Sequence, residues 1–156
     1  MKTVSISAVL FAMVAGAHAA PIEGVYNTGV SEVEGADEAT LDIEFHPCAD
    51  DGAKTCGTIL RVVNPSPDAS DVMPDGSPVV GFEMINGLKD KGDGKFRGGR
   101  INAVDESLEK GKMMWYGLKI DQLGGGDLKV RGCLSVICGR TMVWSPRADE
   151  PSASSE

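Results

Sequence analysis

The amino-acid sequence predicts an all-β fold, a single antiparallel β-barrel of about eight strands. Glycine and proline, at 20 and 8 residues, interrupt the chain at short intervals. Between these interruptions apolar and polar residues alternate with the period of a strand. Strands with one apolar face must cover it, and a closed barrel does so while leaving few exposed edges. A β-sandwich satisfies the same alternation, so it stays the alternative.

The clearest predicted strand covers residues 40–46. Leu41, Ile43 and Phe45 share one face of it, and the residues between them are polar. In the partner strand over residues 57–63, Leu60 and Val62 are predicted to point inward. Further strands are predicted over residues 24–28, 79–85, 113–121, 128–131 and 139–144.

Two segments break the simple alternation. Phe96 and Ile101 are separated by an odd number of positions, which would place them on opposite faces of a regular strand. Gly98 and Gly99 lie between them, so either a β-bulge that restores the side or a sharp bend in a curved sheet is predicted there. Residues 64–78 contain four prolines and are predicted to form a long irregular loop.

The N-terminus has the pattern of an export signal. Lys2 is followed by an apolar stretch over residues 4–16 and by Ala17-His18-Ala19, the small-residue pattern that signal peptidases cleave. The apolar stretch is shorter than the roughly 20 residues that a membrane-spanning helix needs, so no span is expected after cleavage. We therefore expect a periplasmic or secreted protein. The predicted division is a signal peptide over residues 1–19, a barrel over 20–147 and a disordered acidic tail over 148–156.

The charge of the chain argues against one class of partner. The formal net charge is −8, and cleavage after Ala19 would remove Lys2 and make it one unit more negative. Phosphate backbones and anionic membrane surfaces repel such a field. Nucleic acid is therefore not expected as a partner.

Four cysteines follow the leader: Cys48, Cys56, Cys133 and Cys138. In an oxidising compartment an even number of cysteines favours disulfides. The pairs Cys48–Cys56 and Cys133–Cys138 are preferred because each brackets a predicted hairpin turn. A long-range pairing such as Cys56–Cys138 stays open, since sequence does not fix connectivity.

Several short motifs lie in the predicted order of strands. They are Gly24-Val25-Tyr26, Cys48, Cys56-Gly57, Gly81, Gly87-Leu88-Lys89, Asp93-Gly94, Phe96-Arg97-Gly98-Gly99-Arg100-Ile101, Leu128-Lys129-Val130-Arg131-Gly132-Cys133, Cys138-Gly139-Arg140-Thr141 and Trp144. In order and spacing they resemble the secreted bacterial family called domain of unknown function 2147. The resemblance implies a lipocalin-like, calycin-type barrel and no assigned activity. At Trp144-Ser145-Pro146-Arg147 the chain departs from the family pattern, so the resemblance predicts no barrel-closing role for Arg147.

Residues suited to catalysis are scarce after the leader. His46 is then the only histidine, and it occupies the polar face of a strand, so no catalytic residue is assigned and a non-enzymatic protein is expected. His46, Cys48 and Cys56 could supply metal ligands, but the expected disulfide is favoured over a metal, and no cofactor is predicted. Asp90 and Asp93 lie in a predicted turn that lacks the ligand spacing of a calcium loop.

The inward-facing residues yield the functional hypothesis. We expect them either to fill the barrel or to line a cavity that binds a small hydrophobic or amphipathic molecule. The alternative is an envelope-protein interaction module or enzyme inhibitor that acts through loops such as residues 64–78. The candidate lining residues are Leu41, Ile43, Phe45, Leu60, Val62, Met114, Tyr116, Leu118, Leu128 and Val130.

Overall fold

The structure is a computed structural model, and the predicted leader and nearly all of the predicted tail lie outside the residues that it describes. It describes residues 21–30, 38–104 and 112–148, without the side chains of residues 103 and 104.

Within those residues the chain forms eight antiparallel strands and no helix. Each strand pairs with the next along the chain, as the alternation and the turn residues predict. The strands are β1 (Gly24–Asn27), β2 (Thr40–Pro47), β3 (Thr55–Val63), β4 (Glu83–Asp90), β5 (Lys95–Val104), β6 (Met113–Gln122), β7 (Leu128–Leu134) and β8 (Ile137–Pro146).

The first and last strands close the sheet into a barrel. Tyr26 of β1 pairs with Pro146 of β8, and Asn27 pairs with Ser145. Just beyond the strand, the backbone N–H of Arg147 donates a 2.8 Å hydrogen bond to the carbonyl of Val25. The predicted barrel is therefore confirmed, and closure excludes the sandwich.

Of the two alternatives that the sequence left open for β5, the structure shows the bulge. The pairing with β6 shifts between Phe96 and Gly99, and Gly98 has a φ of 76°, a value that glycine adopts without strain. As a result Phe96 and Ile101 both lie in the buried core. Gly99 leaves no room for a side chain, because a Cβ there would lie 2.8 Å from Cγ of Leu88.

One predicted strand is misplaced. Residues 79–85 were expected to be extended throughout, but the strand begins at Glu83 and continues to Asp90. A turn precedes it, with Gly81 at a φ of 89° and a hydrogen bond from the N–H of Phe82 to the carbonyl of Val79. This turn at Gly81 delays the start of the strand to Glu83.

A second bulge changes which side chains of β3 face inward. Asp42 of β2 pairs with Arg61, whereas the next residue, Ile43, pairs with Ile59, so Leu60 is the extra residue. Ile59 belongs to the buried core, and Leu60 lies outside it. The inward orientation predicted for Leu60 is therefore wrong, because simple alternation does not allow for an inserted residue.

The two ends of the barrel differ in their connections. We call the end that carries the turns after β2, β4 and β6 the floor end, and the opposite end the mouth end. At the floor end the strands supply large, fully buried side chains, and the described connections at the mouth end include the long loop over residues 64–82. The core residues toward the floor end are Ile22, Phe45, Leu88, Phe96, Ile120 and Leu128.

Candidate functional site: a cavity at the mouth end

A cavity of about 650 Å³ lies at the mouth end. Most of its lining is apolar, with valine, leucine, isoleucine and methionine side chains from several strands and two connections. Its lining residues are Thr28, Gly29, Val30, Ala39, Leu41, Ile59, Met73, Val79, Met84, Asn102, Arg140, Thr141, Met142, Val143 and Trp144.

One wall of the cavity is formed by the loop between β3 and β4. Met73 and Val79 of this loop line the cavity, and Val79 packs against the core. The loop is tied to itself by a hydrogen bond from the N–H of Val79 to the carbonyl of Asp71, at 2.9 Å, and to the barrel by one from the N–H of Gly81 to the carbonyl of Ile59, at 2.8 Å. The prolines predicted an irregular loop, and these bonds make it a defined wall.

Strand β8 supplies a row of three side chains along the cavity. Met142 and Trp144 alternate on one face of the strand, Arg140 precedes them beside a bulge in the pairing with β7, and all three line the cavity. The pairing of β7 with β8 sets this face: Met142 lies opposite Val130, and Trp144 lies opposite Leu128. Since β8 runs from the mouth end toward the floor end, Arg140 is the outermost of the three and Trp144 the innermost.

Five residues of the lining carry polar side-chain atoms: Thr28, Asn102, Arg140, Thr141 and Trp144. Trp144 is 1% exposed and Asn102 is 5% exposed. In the part of the chain that the structure describes, neither Nε1 of Trp144 nor Oδ1 of Asn102 has a hydrogen-bond partner. Arg140, which is exposed, is the charged residue among the described lining residues, so the cavity carries positive charge in an acidic protein.

The ten residues predicted from alternation fall into three groups. Leu41 lines the cavity, and Tyr116, half-buried, packs against the core cluster but does not belong to the cavity lining. Met114, Val62 and Leu60 are half-buried and belong neither to the cavity lining nor to the buried core cluster. The remaining five are buried in the packed core: Ile43, Phe45, Leu118, Leu128 and Val130.

Several lining residues were missed by sequence reasoning. The alternation of Met142 and Trp144 in the last predicted strand was a usable signal, because it places both on one face. Met84 and Ile59 lie next to bulges, where alternation fails. Asn102 is polar and gave no sequence signal of burial.

A buried carboxylate connects the strands at the seam of the barrel. Asp42 is 0% exposed and accepts hydrogen bonds from Asn27 Nδ2 at 2.7 Å, Arg61 Nε at 2.6 Å and Arg147 Nε at 3.0 Å. Burial alone raises the pKa of the Asp42 carboxyl, but the hydrogen bonds from Asn27, Arg147 and Arg61 outweigh it and the pKa is lowered. Arg147 thus joins the end of β8 to β2, a role that the resemblance did not predict.

The cysteines form the two local disulfides, Cys48–Cys56 and Cys133–Cys138. The sulfurs of Cys48 and Cys56, the possible metal ligands near His46, are therefore bonded to each other. The His46 ring lies 2.8 Å from the Thr58 hydroxyl through Nε2 and 2.9 Å from the Pro47 carbonyl through Nδ1. In the predicted turn near residue 90, the Asp90 carboxylate accepts a hydrogen bond from the N–H of Gly92, which is a turn contact.

No helix within the described ranges is long and apolar enough to cross a membrane. Likewise, no three histidine, cysteine or acidic side chains within those ranges are grouped closely enough to hold a metal ion.

Comparison with known proteins supports the fold. The chain is similar to a solved structure described as protein HP1028 from the human pathogen Helicobacter pylori, which belongs to the lipocalin family, with a TM-score of 0.60 and 19% sequence identity. The match covers 83% of this chain and 84% of that one. Among curated proteins no sequence matches. A family model described as "Uncharacterized protein conserved in bacteria (DUF2147)" matches residues 32–146, most of the sequence, so the chain belongs to this family.

Proposed function

We propose that this protein binds a small amphipathic molecule, without catalysing a reaction, in the cavity at the mouth end. The observation that carries the proposal is the cavity itself, about 650 Å³ with a mostly apolar lining. Ligand sites commonly measure roughly 300–1,000 Å³ and combine apolar walls with a few polar groups. At about 30 Å³ per water-sized group, this cavity has room for on the order of twenty non-hydrogen atoms.

The compartment belongs to the same proposal. Two disulfides are compatible with the oxidising environment of a periplasm or an extracellular medium. The export signal predicted over residues 1–19 would deliver the chain there. A ligand taken from the cell envelope suits that location.

The test uses dodecanoate as a probe and blocks the cavity with one tryptophan. In Met84→Trp the larger side chain would occupy cavity space, because Met84 lines it. The matched control Val136→Trp adds the same residue on the β7–β8 turn, where Val136 is 87% exposed. We expect titration calorimetry to show one dodecanoate bound by the parent and by the control, and at least tenfold weaker binding by Met84→Trp.

A folding check accompanies this test. If Met84→Trp melts well below the parent, Met142→Trp, on the face of β8 that lines the cavity, replaces it. Binding that is absent from the parent, or equally strong in all variants, would contradict the proposal.

A second candidate function rests on the turn between β7 and β8. Leu134, Val136 and Ile137 are exposed apolar side chains, and the Cys133–Cys138 disulfide closes this hairpin. Exposed apolar side chains held by a rigid scaffold are typical of protein contacts. A photo-crosslinking residue at Val136, compared with one at Lys119, would capture one dominant envelope protein if the hairpin is a docking site. Equal labelling at both positions would contradict this candidate.

A further inference from the structure

Positive charge is concentrated on three neighbouring strands of the barrel. Strands β5, β6 and β7 contain six lysines and arginines and one acidic residue, Asp121. Strands β1, β2 and β3 contain one arginine and two acidic residues. The chain as a whole carries a formal net charge of −8. The barrel wall therefore changes the sign of its charge from one side to the other.

Five of these cations form one cluster on the outside of the barrel. Each alternates along its strand with residues of the buried core, among them Phe96, Ile120 and Val130, so each side chain points outward. All five are at least partly exposed. We call this cluster the cationic face, and its members are Lys95, Arg97, Lys119, Lys129 and Arg131.

The register of the strands brings these charges close together. Asp121 lies opposite Lys95 of β5 and Lys129 of β7, and Lys119 lies opposite Arg131. Neighbouring strands are about 4.8 Å apart, and residues two positions apart on one strand are about 7 Å apart. Asp121 accepts hydrogen bonds from both arginines of the face. One carboxylate is thus shared among five cations, which leaves four net positive charges on the face.

Two cross-strand pairs on this side of the barrel join like charges. Lys119 lies directly opposite Arg131, and Lys89 of β4 lies opposite Arg97. Like charges in directly opposite positions destabilise a sheet. A surface that lowers the stability of its own fold is typical of a binding site, because an anionic partner relieves the repulsion.

The composition of the cationic face favours an anionic bilayer over a protein as its partner. The centre of a protein interface is depleted of charge and contains aromatic or aliphatic anchors. The cationic face consists of lysines and arginines around Asp121, and none of them lines the cavity, where a small anion could be enclosed. An open array of cations instead suits a layer of lipid phosphates, where each lysine or arginine near the surface adds to the attraction.

The negative charge of the rest of the chain acts mainly at long range. In physiological salt the Debye length is about 8 Å, and more distant exposed charges are largely screened. Strand β2, with its two acidic residues, is separated from β6 by three strands in either direction around the barrel, which is more than a Debye length. The net charge predicts repulsion of anionic membranes, but the charge that would lie in contact with the lipid is positive.

We propose that the cationic face docks this protein on the surface of an anionic lipid bilayer, with its lysines and arginines against the lipid phosphates. The protein lies on the bilayer and does not span it. This surface is a second site, separate from the cavity, and it goes beyond the ligand-binding function proposed above.

The test measures cosedimentation of the protein with lipid vesicles. Vesicles of equal parts phosphatidylglycerol and phosphatidylcholine are compared with vesicles of phosphatidylcholine alone. We expect binding to the mixed vesicles only, and loss of that binding in about 1 M salt, where the Debye length shrinks to about 3 Å. Fluorescently labelled polyglutamate is the probe for an acidic protein partner, and we expect it to bind more weakly than the mixed vesicles.

Two double variants locate the contact. Lys119→Gln with Lys129→Gln removes two cations of the face, and Lys54→Gln with Lys112→Gln removes two lysines outside it. We expect the first to weaken binding to mixed vesicles roughly ten- to thirtyfold, the loss of two cations at an anionic surface, and the second to weaken it by roughly twofold or less. Urea unfolding should show the first variant to be at least as stable as the parent, because Lys119 no longer repels Arg131.

Several outcomes would overturn the inference. Equal binding to neutral and mixed vesicles would do so, as would an equal loss of binding in the two double variants. Lost binding together with lost stability in the first variant would assign its lysines to the barrel wall. Binding of polyglutamate without binding of mixed vesicles would identify an acidic protein as the partner instead. The dodecanoate test of the cavity is independent of these results, because no residue of the cationic face lines the cavity.

Discussion

The floor end and the mouth end of this barrel are built from the same strands, but only the floor end is filled. At the floor end, Leu88 and Phe96 are 0% exposed, and Gly99 lies so close to Leu88 that a Cβ could not be added without displacing it. At the mouth end the same strands surround a cavity of about 650 Å³. The difference shows that alternation determines which residues face inward, while side-chain volume and loops determine whether the interior is solid.

The largest expected effect contrasts the two ends directly. Phe96→Ala removes a fully buried ring and is expected to lower the free energy of unfolding by about 3–5 kcal/mol. Met84→Ala, on the wall of the cavity, is expected to lower the free energy of unfolding by about 1 kcal/mol or less, because one side of Met84 already borders open space. Urea unfolding of both variants measures the contrast. Equal losses of unfolding free energy in the two variants would mean that the mouth end is as tightly packed as the floor end.

The next prediction concerns the seam of the barrel. Asp42→Asn leaves the side chains of Arg61 and Arg147, which are 44% and 38% exposed, without their carboxylate. We expect a loss of about 2 kcal/mol of stability at neutral pH, below the cost of a fully buried pair because both arginines can be partly rehydrated.

The pH dependence of that loss follows from the lowered pKa of Asp42. Its stabilising contribution is present above the unfolded-state pKa of about 3.9, and it is lost as the pH falls through the lower folded-state pKa. The difference in unfolding free energy between the parent and Asp42→Asn should therefore be constant near neutrality and shrink below about pH 4. A difference that stays the same from pH 7 to pH 2 would contradict the assignment.

The smallest effect is expected at the entrance of the cavity. Arg140→Gln should weaken dodecanoate binding by roughly two- to fivefold, the range for an exposed ion pair, and should leave dodecanol binding unchanged. Arg100→Gln, on the barrel exterior over Trp115, is the matched control. A similar loss in both variants would show that the effect comes from net charge rather than from Arg140.

Most of the fold could be predicted because its signals are local. Period-two alternation indicated the strands, the Gly98-Gly99 pair indicated the bulge, and the spacing of the cysteines indicated both disulfides. The turn before β4 and the bulge at Leu60 were missed, because each depends on backbone conformation at one residue. Alternation carries no information about such insertions.

The candidate site was harder to predict because it depends on distant parts of the chain. Phe45 and Leu128 were predicted to face inward, and they fill the floor end; the sequence left open whether they fill the barrel or line a cavity, because the pattern specifies a face but not a depth in the barrel. The cavity exists because the loop that carries Met73 and Val79 folds against the mouth end. In the same way, burial of Asp42 depends on Arg147, which lies 105 residues away in the sequence.

The most direct test of the cavity as a binding site uses methionine methyl groups, whose resonances report nearby ligands. Met73, Met84 and Met142 line the cavity, and Met113 is a described methionine outside its lining. On titration with dodecanoate we predict saturable shifts of the first three methyl resonances and none at Met113. Shifts at Met113 alone, or no shift at any of the four, would contradict the account.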